Sequence, residues 1–217
     1  MEEQDLDDTH KLLLTWAMNP DELKKVYRFL CLISLVYNGL EEKFYDQIKK
    51  EIIESHGLTH IKVFNHLERA KFLFKKNKKN KKDKSLYQKL CEPFGLRREF
   101  PDNTDPTLIN LPYNNYVPLS YKLFEKAIFE AWIKDTELLN SIPGPMEKYG
   151  NLENVLSDPS KKKTMLLYMI GGMTYSEASY FRKLAESANI ELKLLSTNMN
   201  KSFDVLDPFL LPEHPLF

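Results

Sequence analysis

Hydrophobic positions along the chain follow a helical rhythm first and a strand rhythm last. Leu12, Leu13, Leu14 and Trp16 form an apolar patch that stops at Asn19-Pro20. Asn19 is a good helix N-cap, Pro20 suits the first helical position, and Asp21 and Glu22 favour the helix dipole, so a helix is expected there. Leu23, Val26, Tyr27, Leu30, Ile33 and Val36 or Tyr37 then recur at three- and four-residue spacing, with Leu32 and Leu35 widening the stripe. So wide a stripe predicts a helix buried on most sides, ended by Asn38-Gly39. Phe44, Ile48 and Ile52, with Tyr45 and Ile53, predict a second helix over 41–55, with Lys49, Lys50, Glu51 and Glu54 on its other side and Gly57 as its stop. A third runs from about Thr59 through Val63, Phe64, Leu67 and Ala70. Three short helices joined by tight glycine turns predict a compact helical unit that a winged-helix-like arrangement would fit.

Residues 75–84 are almost all Lys and Asn, contain nothing to bury and predict a mobile insertion. Pro93, Pro101, Pro106, Pro112 and Pro118 punctuate a long loop. A further helix is expected from near Pro118, through Leu119, Leu123, Phe124, Ala127, Ile128, Ala131 and Trp132, ending by Ile142-Pro143-Gly144-Pro145. The pattern then changes. Residues 164–170 are a continuous apolar run that predicts a fully buried parallel strand. Thr174-x-x-Glu177 is a capping box for a helix over about 175–188 that buries Ala178, Phe181, Leu184 and Ala185. Ile190–Leu195 alternates as a second strand, and the crossover should be right-handed.

The expected fold is therefore mainly α with a C-terminal α/β piece: a helical subdomain followed by one strand–helix–strand unit of an incomplete parallel sheet. The expected division is an acidic N-terminal tail over 1–10, a helical subdomain over 11–158 carrying the insertion, an α/β unit over 159–200, and a C-terminal tail over 201–217. Two parallel strands cannot bury both faces of a sheet by themselves, and no earlier segment reads as further strands.

Composition sharpens this picture in two places. Lys plus Arg and Asp plus Glu are 31 each, so the net charge is zero, but the charges are segregated. Residues 1–8 hold five acids and no base, and residues 71–84 hold eight Lys against one Asp. The longest uncharged apolar runs, 29–37 and 165–173, are nine residues each, whereas a spanning helix needs about 20. The acidic start is unlike the basic opening of a signal peptide. Cys31 and Cys91 fit reduced thiols in a cytosolic protein.

Candidate chemistry is sparse. Gly171-Gly172 between strand and helix reads as a tight turn or as a phosphate contact, and it lacks the remaining residues of a P-loop or dinucleotide fingerprint. His56 and His60 are four residues apart, the spacing of a zinc pair on one helix, yet Gly57 should break that helix, which favours surface or capping roles. Ser120, Ser176 and Ser196 lack a nucleophile-elbow context. No catalytic residue, cofactor or metal is expected, and the chain reads as non-enzymatic. The Lys run reads as a solvated loop, a membrane-surface contact or a nucleic-acid contact, without interleaved aromatics for stacking on bases. Leu58 and Ile61, after Gly57, read as core or as partner anchors.

Residues 113–120, 142–145 and 171–177, with the stretches over 38–40, 50–52, 56–61 and 67–70, together resemble the vacuolar-sorting branch of the SM family, the Sec/Munc-type regulators of SNARE-mediated fusion. Tyr113-Asn114-Asn115-Tyr116-Val117-Pro118-Leu119-Ser120 is similar to that branch's Tyr-x-Gly-Tyr-x-Pro-Leu-Ser signature, with Asn115 in place of Gly. Ile142-Pro143-Gly144-Pro145 resembles its Leu-Pro-Gly-Pro turn. Gly171-Gly172-Met173-Thr174-Tyr175-Ser176-Glu177 resembles the family's Gly-Gly-x-Thr-x-x-Glu turn. Asn38-Gly39-Leu40, Lys50-Glu51-Ile52 and His56-Gly57-Leu58-Thr59-His60-Ile61 resemble the helical stretch before it. Leu67-Glu68-Arg69-Ala70 continues that stretch, with Lys71 where glycine is usual.

The resemblance implies the C-terminal part of a much longer family fold, whose last strand–helix–strand joins a sheet begun earlier in the chain. It implies a role in vesicle docking and SNARE-mediated fusion between endosome and vacuole or lysosome, at the cytoplasmic face of the membrane. By position, Lys49, Leu58 and Ile61 match the surface implied to bind a tethering-complex subunit of the vacuolar protein sorting 16 type, with Leu58 in place of an aromatic. SNAREs are expected partners only if the missing domains are supplied, peripheral membrane association is compatible, and nucleic acid is not expected. A basic winged-helix-like nucleic-acid-binding module is the alternative reading.

Overall fold

The helix expected at Asn19-Pro20 forms in two steps. The Asn19 side chain accepts from the Asp21 backbone N–H at 3.1 Å, opening a single 3₁₀ turn over Pro20–Glu22, and the α-helix α2 follows over Leu23–Val36. In this computed structural model the residues described are 3–76, 84–97, 116–129, 140, 142–145, 147, 149, 163–201 and 204–210. Before α2 lies α1, Glu3–Ala17, which takes in most of the acidic start; after it come α3, Glu42–His56, and α4, His60–Arg69. Gly57, with φ of 99°, ends α3. A short α5 covers Leu86–Cys91. α6 is Leu119–Phe129, β1 is Lys163–Met169, α7 is Tyr175–Ser187 and β2 is Ile190–Ser196. The protein is thus mainly helical, with a two-stranded parallel sheet that does not close.

The chain divides into two compact units, 1–89 with 202–217, and 90–201. The core of the first is drawn from α1 to α4: Leu13, Val26, Tyr27, Leu30, Ile48, Ile52, Phe64 and Leu67 are buried together. Tyr27 and Tyr45 both meet Phe64 edge-on, at ring separations of 5.5 and 6.0 Å, a geometry that contributes roughly 0.5–1.5 kcal/mol per pair beyond area burial. Leu206, Phe209 and Leu210, near the end of the chain, pack on this same core. Burial pushes the Cys31 thiol up to about 12, so it stays protonated and inert.

Helix α2 is less enclosed than its sequence predicts. Val26, Tyr27, Leu30, Cys31 and Ile33 are buried, but Phe29, Leu32 and Leu35 are exposed. Its neighbours in the first unit cover one side only, so the extra width of the stripe is surface and not core.

The α2 C-terminus also holds the roots of the Lys-rich insertion. Leu40 N–H donates to the Phe74 carbonyl and Lys76 N–H to the Leu40 carbonyl, at 2.9 and 2.7 Å, which makes a single parallel bridge between Leu40 and Lys75. Gly39, at φ 106°, permits that approach: a Cβ there would stand 2.7 Å from the Lys76 backbone nitrogen. On the far side of the insertion, the Ser85 hydroxyl donates to the Val36 carbonyl at 2.7 Å. Among the described residues of this unit, that bridge is the only strand-like pairing, so the wing that a winged-helix arrangement would require is not present there.

Helix α4 ends in a left-handed residue. Lys71 has φ of 60°, and the amides of Phe72 and Leu73 fold back to the Leu67 carbonyl. A β-carbon makes this conformation costly by about 1–2 kcal/mol, which explains why glycine suits the position.

In the second unit β1 and β2 run parallel in the register Lys163↔Ile190 to Met169↔Ser196. The capping box opens α7 as the sequence predicts: Thr174 Oγ1 accepts from Glu177 N–H, and a Glu177 carboxylate oxygen accepts from Thr174 N–H at 2.9 Å. The other Glu177 oxygen accepts from the Ser120 hydroxyl at 2.6 Å, tying α6 to the start of α7. Phe181 and Phe124 meet edge-on in the core between these helices. A smaller cluster of Leu90, Phe94 and Leu96 lies beside Tyr116, Leu119 and Leu123.

The expectation of a fully buried strand is corrected. β1 alternates half-buried and exposed positions. Met165 and Leu167 face α7, whereas Leu166, Tyr168 and, just beyond the strand, Ile170 are 62, 56 and 81% exposed. On β2, Leu195 is exposed on the same account. One helix layer covers one face of the sheet, and among the described residues nothing covers the other. The readings placed on the Lys run at 77–83, the prolines from 101 to 112, the helix beyond Phe129 with Ala131 and Trp132, and the end of the chain past 210 fall outside the described residues.

Candidate partner-docking surface

The most exposed of the described large hydrophobic residues of the first unit, Leu58, lies on the turn between α3 and α4. Gly57 has open space where a Cβ would be, and its positive φ reverses the chain within three residues. The amides of His60, Ile61 and Lys62 donate back to the carbonyls of Gly57, Leu58 and Thr59, so the turn is a rigid start to α4 and not a slack loop. Leu58 is 74% exposed and Ile61 37%. These two predicted residues are therefore brought together on one projecting turn, unlike the buried Val63, Phe64 and Leu67 further along the same helix.

Lys49 is placed elsewhere. It lies seven residues before the end of α3, about 10 Å along the axis, near the far end of α4. Its ammonium is 3.3 Å from Glu68 and stands 5.2 Å from the centre of the Phe64 ring and 5.6 Å from that of Tyr45. Glu68 also accepts from the Tyr45 hydroxyl. Burial first, and Glu68 second, push the Tyr45 phenol above its usual range, so it remains a donor. Lys49 is a cation held on a small aromatic platform, apart from the Leu58–Ile61 projection. The sequence gives no sign of Glu68 as its partner, because the pairing spans two helices.

Two histidines fasten the turn at either end. His56 Nε2 donates to the Ala17 carbonyl at 2.6 Å and so caps the C-terminus of α1. His60 Nδ1 lies 3.0 Å from the Tyr27 hydroxyl on α2. The two imidazoles are 5.8 Å apart, centre to centre. Burial, and then the His56 charge, hold His60 below the usual imidazole range. These are capping and packing roles. Among the described residues no group of three or more His, Cys, Asp or Glu side chains is arranged to hold a metal.

The Gly171-Gly172 turn is engaged internally. Gly171 N–H donates to Thr197 Oγ1 at 3.0 Å, Asn200 donates to the Gly171 carbonyl at 3.1 Å, and Met173 N–H donates to the Asn198 carbonyl. The amides of Thr174 and Glu177 are used by the capping box. A phosphate would find most of these donors taken, so the turn serves to close the strand–helix–strand crossover. A cleft of about 340 Å³ beside it is lined by Met173, Tyr175, Arg182, Ser196 and Met199, among others. Of the Lys-rich segment, Lys75 is described: it pairs with Asp46 at 2.6 Å and stands over the Tyr45 ring. No helix among the described residues is long and apolar enough to cross a membrane.

Comparison with known proteins agrees with the motif pattern. Residues 1–207 match the Sec1 family. The chain is 27% identical over 209 residues to the vacuolar protein-sorting-associated protein 33 homolog of Arabidopsis thaliana, covering 90% of this chain and 34% of that protein. It is 30% identical over 168 residues to vacuolar protein sorting-associated protein 33A of Rattus norvegicus, covering 76% and 28%. With vacuolar protein sorting-associated protein 33 of Schizosaccharomyces pombe the identity is 28% over 199 residues, covering 87% and 34%. The chain spans about a third of the length of the curated relatives it matches.

Proposed function

Because the chain belongs to the Sec1 family, we propose that it serves vesicle docking and SNARE-mediated fusion between endosome and vacuole or lysosome, as a non-enzymatic interaction module. In this reading it works at the cytoplasmic face of the membrane and binds a tethering-complex subunit of the vacuolar protein sorting 16 type. The observation that carries it is the exposure of Leu58 and Ile61 side by side on a hydrogen-bonded turn. A rigid apolar projection has little conformational entropy left to lose on binding, which is what an anchor residue needs. Lys49 supplies a peripheral positive charge that steers more than it binds. SNARE engagement is proposed only for an assembly that supplies the rest of the relatives' length.

The test is capture of the purified subunit by the 217-residue chain. Leu58→Asp or Ile61→Lys should abolish capture while leaving the melting temperature unchanged, because both side chains are exposed; Lys49→Ala should weaken it only modestly. Failure of the unaltered chain to capture the subunit overturns the reading.

A further inference from the structure

We propose that His56 and His60 are positioning residues that clamp the α3–α4 turn in its projecting form, and that protonation of His60 loosens the clamp at its α2 contact. The regulatory consequence rests on the docking reading of Leu58 and Ile61, but the clamp itself is a property of the chain alone. The two histidines bracket the turn at its first and last residues and reach different helices: His56 bonds the Ala17 carbonyl of α1, and His60 meets Tyr27 of α2. These two contacts act beside the backbone hydrogen bonds of the turn itself; Leu58 is exposed and Gly57 has no side chain.

The groups that face His60 define how it responds to protons. From α3 comes His56, 5.8 Å away; from α2 comes Tyr27, whose phenol is pushed up by burial and secondarily by Cys31 on the same helix; from α1 comes the Ala17 carbonyl, held by His56. Tyr27 therefore stays protonated, and its hydroxyl can donate to His60 Nδ1 only while that nitrogen is unprotonated. A proton on His60 turns Nδ1 into a donor, ends that arrangement, and places a charge in the half-buried setting that disfavours it. The sign follows. A histidine held below its unfolded value binds protons more readily once released, so the clamp is intact above about pH 6.5 and weakens as pH falls below it.

The readout is backbone amide hydrogen exchange of the whole chain, expressed as protection relative to intrinsic rates, at pH 7.5 and 5.5. Amides 60–62 should lose protection by up to about tenfold between pH 7.5 and 5.5, while the middle of α3 at Ile48 and Ile52 keeps its own. Global melting is not the readout, because His10, stacked on Phe44 and also held below its range by burial, titrates in the same unit. His60→Asn retains an acceptor near the Nδ1 position without titrating, so it should preserve protection at pH 7.5 and abolish the acid loss. An NMR titration of the unaltered chain should place His60 below 6.5. Unchanged protection between the two pH values, the same acid loss in His60→Asn, or a His60 value at or above 6.5 would each overturn the clamp. If the acid loss is present and the tethering subunit is still not captured, the docking reading fails and the clamp stands.

Discussion

The two units of this protein bury apolar surface in opposite ways. In the first, four helices and a returning segment with Leu206 and Phe209 surround one core, and Tyr27, Tyr45 and Phe64 fill its centre. In the second, Phe181 and Phe124 make an equally dry core on one side of the sheet, while Leu166, Tyr168, Ile170 and Leu195 remain bare on the other. The difference shows that cover on one face is enough to hold a strand that is apolar along its whole length, so an apolar run does not by itself record cover on both faces. A parallel strand in a doubly covered sheet reads the same whether or not its second cover lies in the chain at hand.

The comparison can be broken first at the two aromatic centres. Phe64→Ala and Phe181→Ala should each cost about 3–5 kcal/mol in denaturant unfolding, because both rings are fully buried. A loss well under 1 kcal/mol at Phe181 would mean that the second unit has no true core. A smaller effect of opposite sign is expected in the first unit: Lys71→Gly should stabilise by about 1 kcal/mol by relieving its left-handed backbone. The smallest effect is expected on the bare face. Leu166→Thr should change stability by less than about 0.5 kcal/mol in denaturant unfolding; a loss like that at Phe181 would mean the face is covered after all.

Local chemistry was legible from the sequence, and non-local chemistry was not. Asn19, Gly57 and the Thr174–Glu177 box act through neighbours within a few residues, and each ends or opens a helix where the pattern places it. The same is true of the strand–helix–strand order. The width of the α2 stripe is misleading, because Leu32 and Leu35 satisfy helical spacing and are nonetheless exposed. The candidate site divides along the same line. Leu58 and Ile61 follow from a glycine-ended helix and an apolar turn, but the Glu68 that holds Lys49, and the Ala17 and Tyr27 that hold the histidines, come from other helices.

The anchoring of residues 75 and 85 at the end of α2 has a last consequence. Lys75 is bridged to Leu40, and Ser85 is bonded to Val36 four residues earlier, so both terminals of the Lys-rich stretch are soldered to one short length of backbone. With its ends fixed in this way, lengthening the intervening chain adds only about 0.6 kcal/mol per doubling. The helical unit thus carries a splice point: sequence between these terminals can grow, shrink or be exchanged for an unrelated peptide while the fold beneath it is left alone.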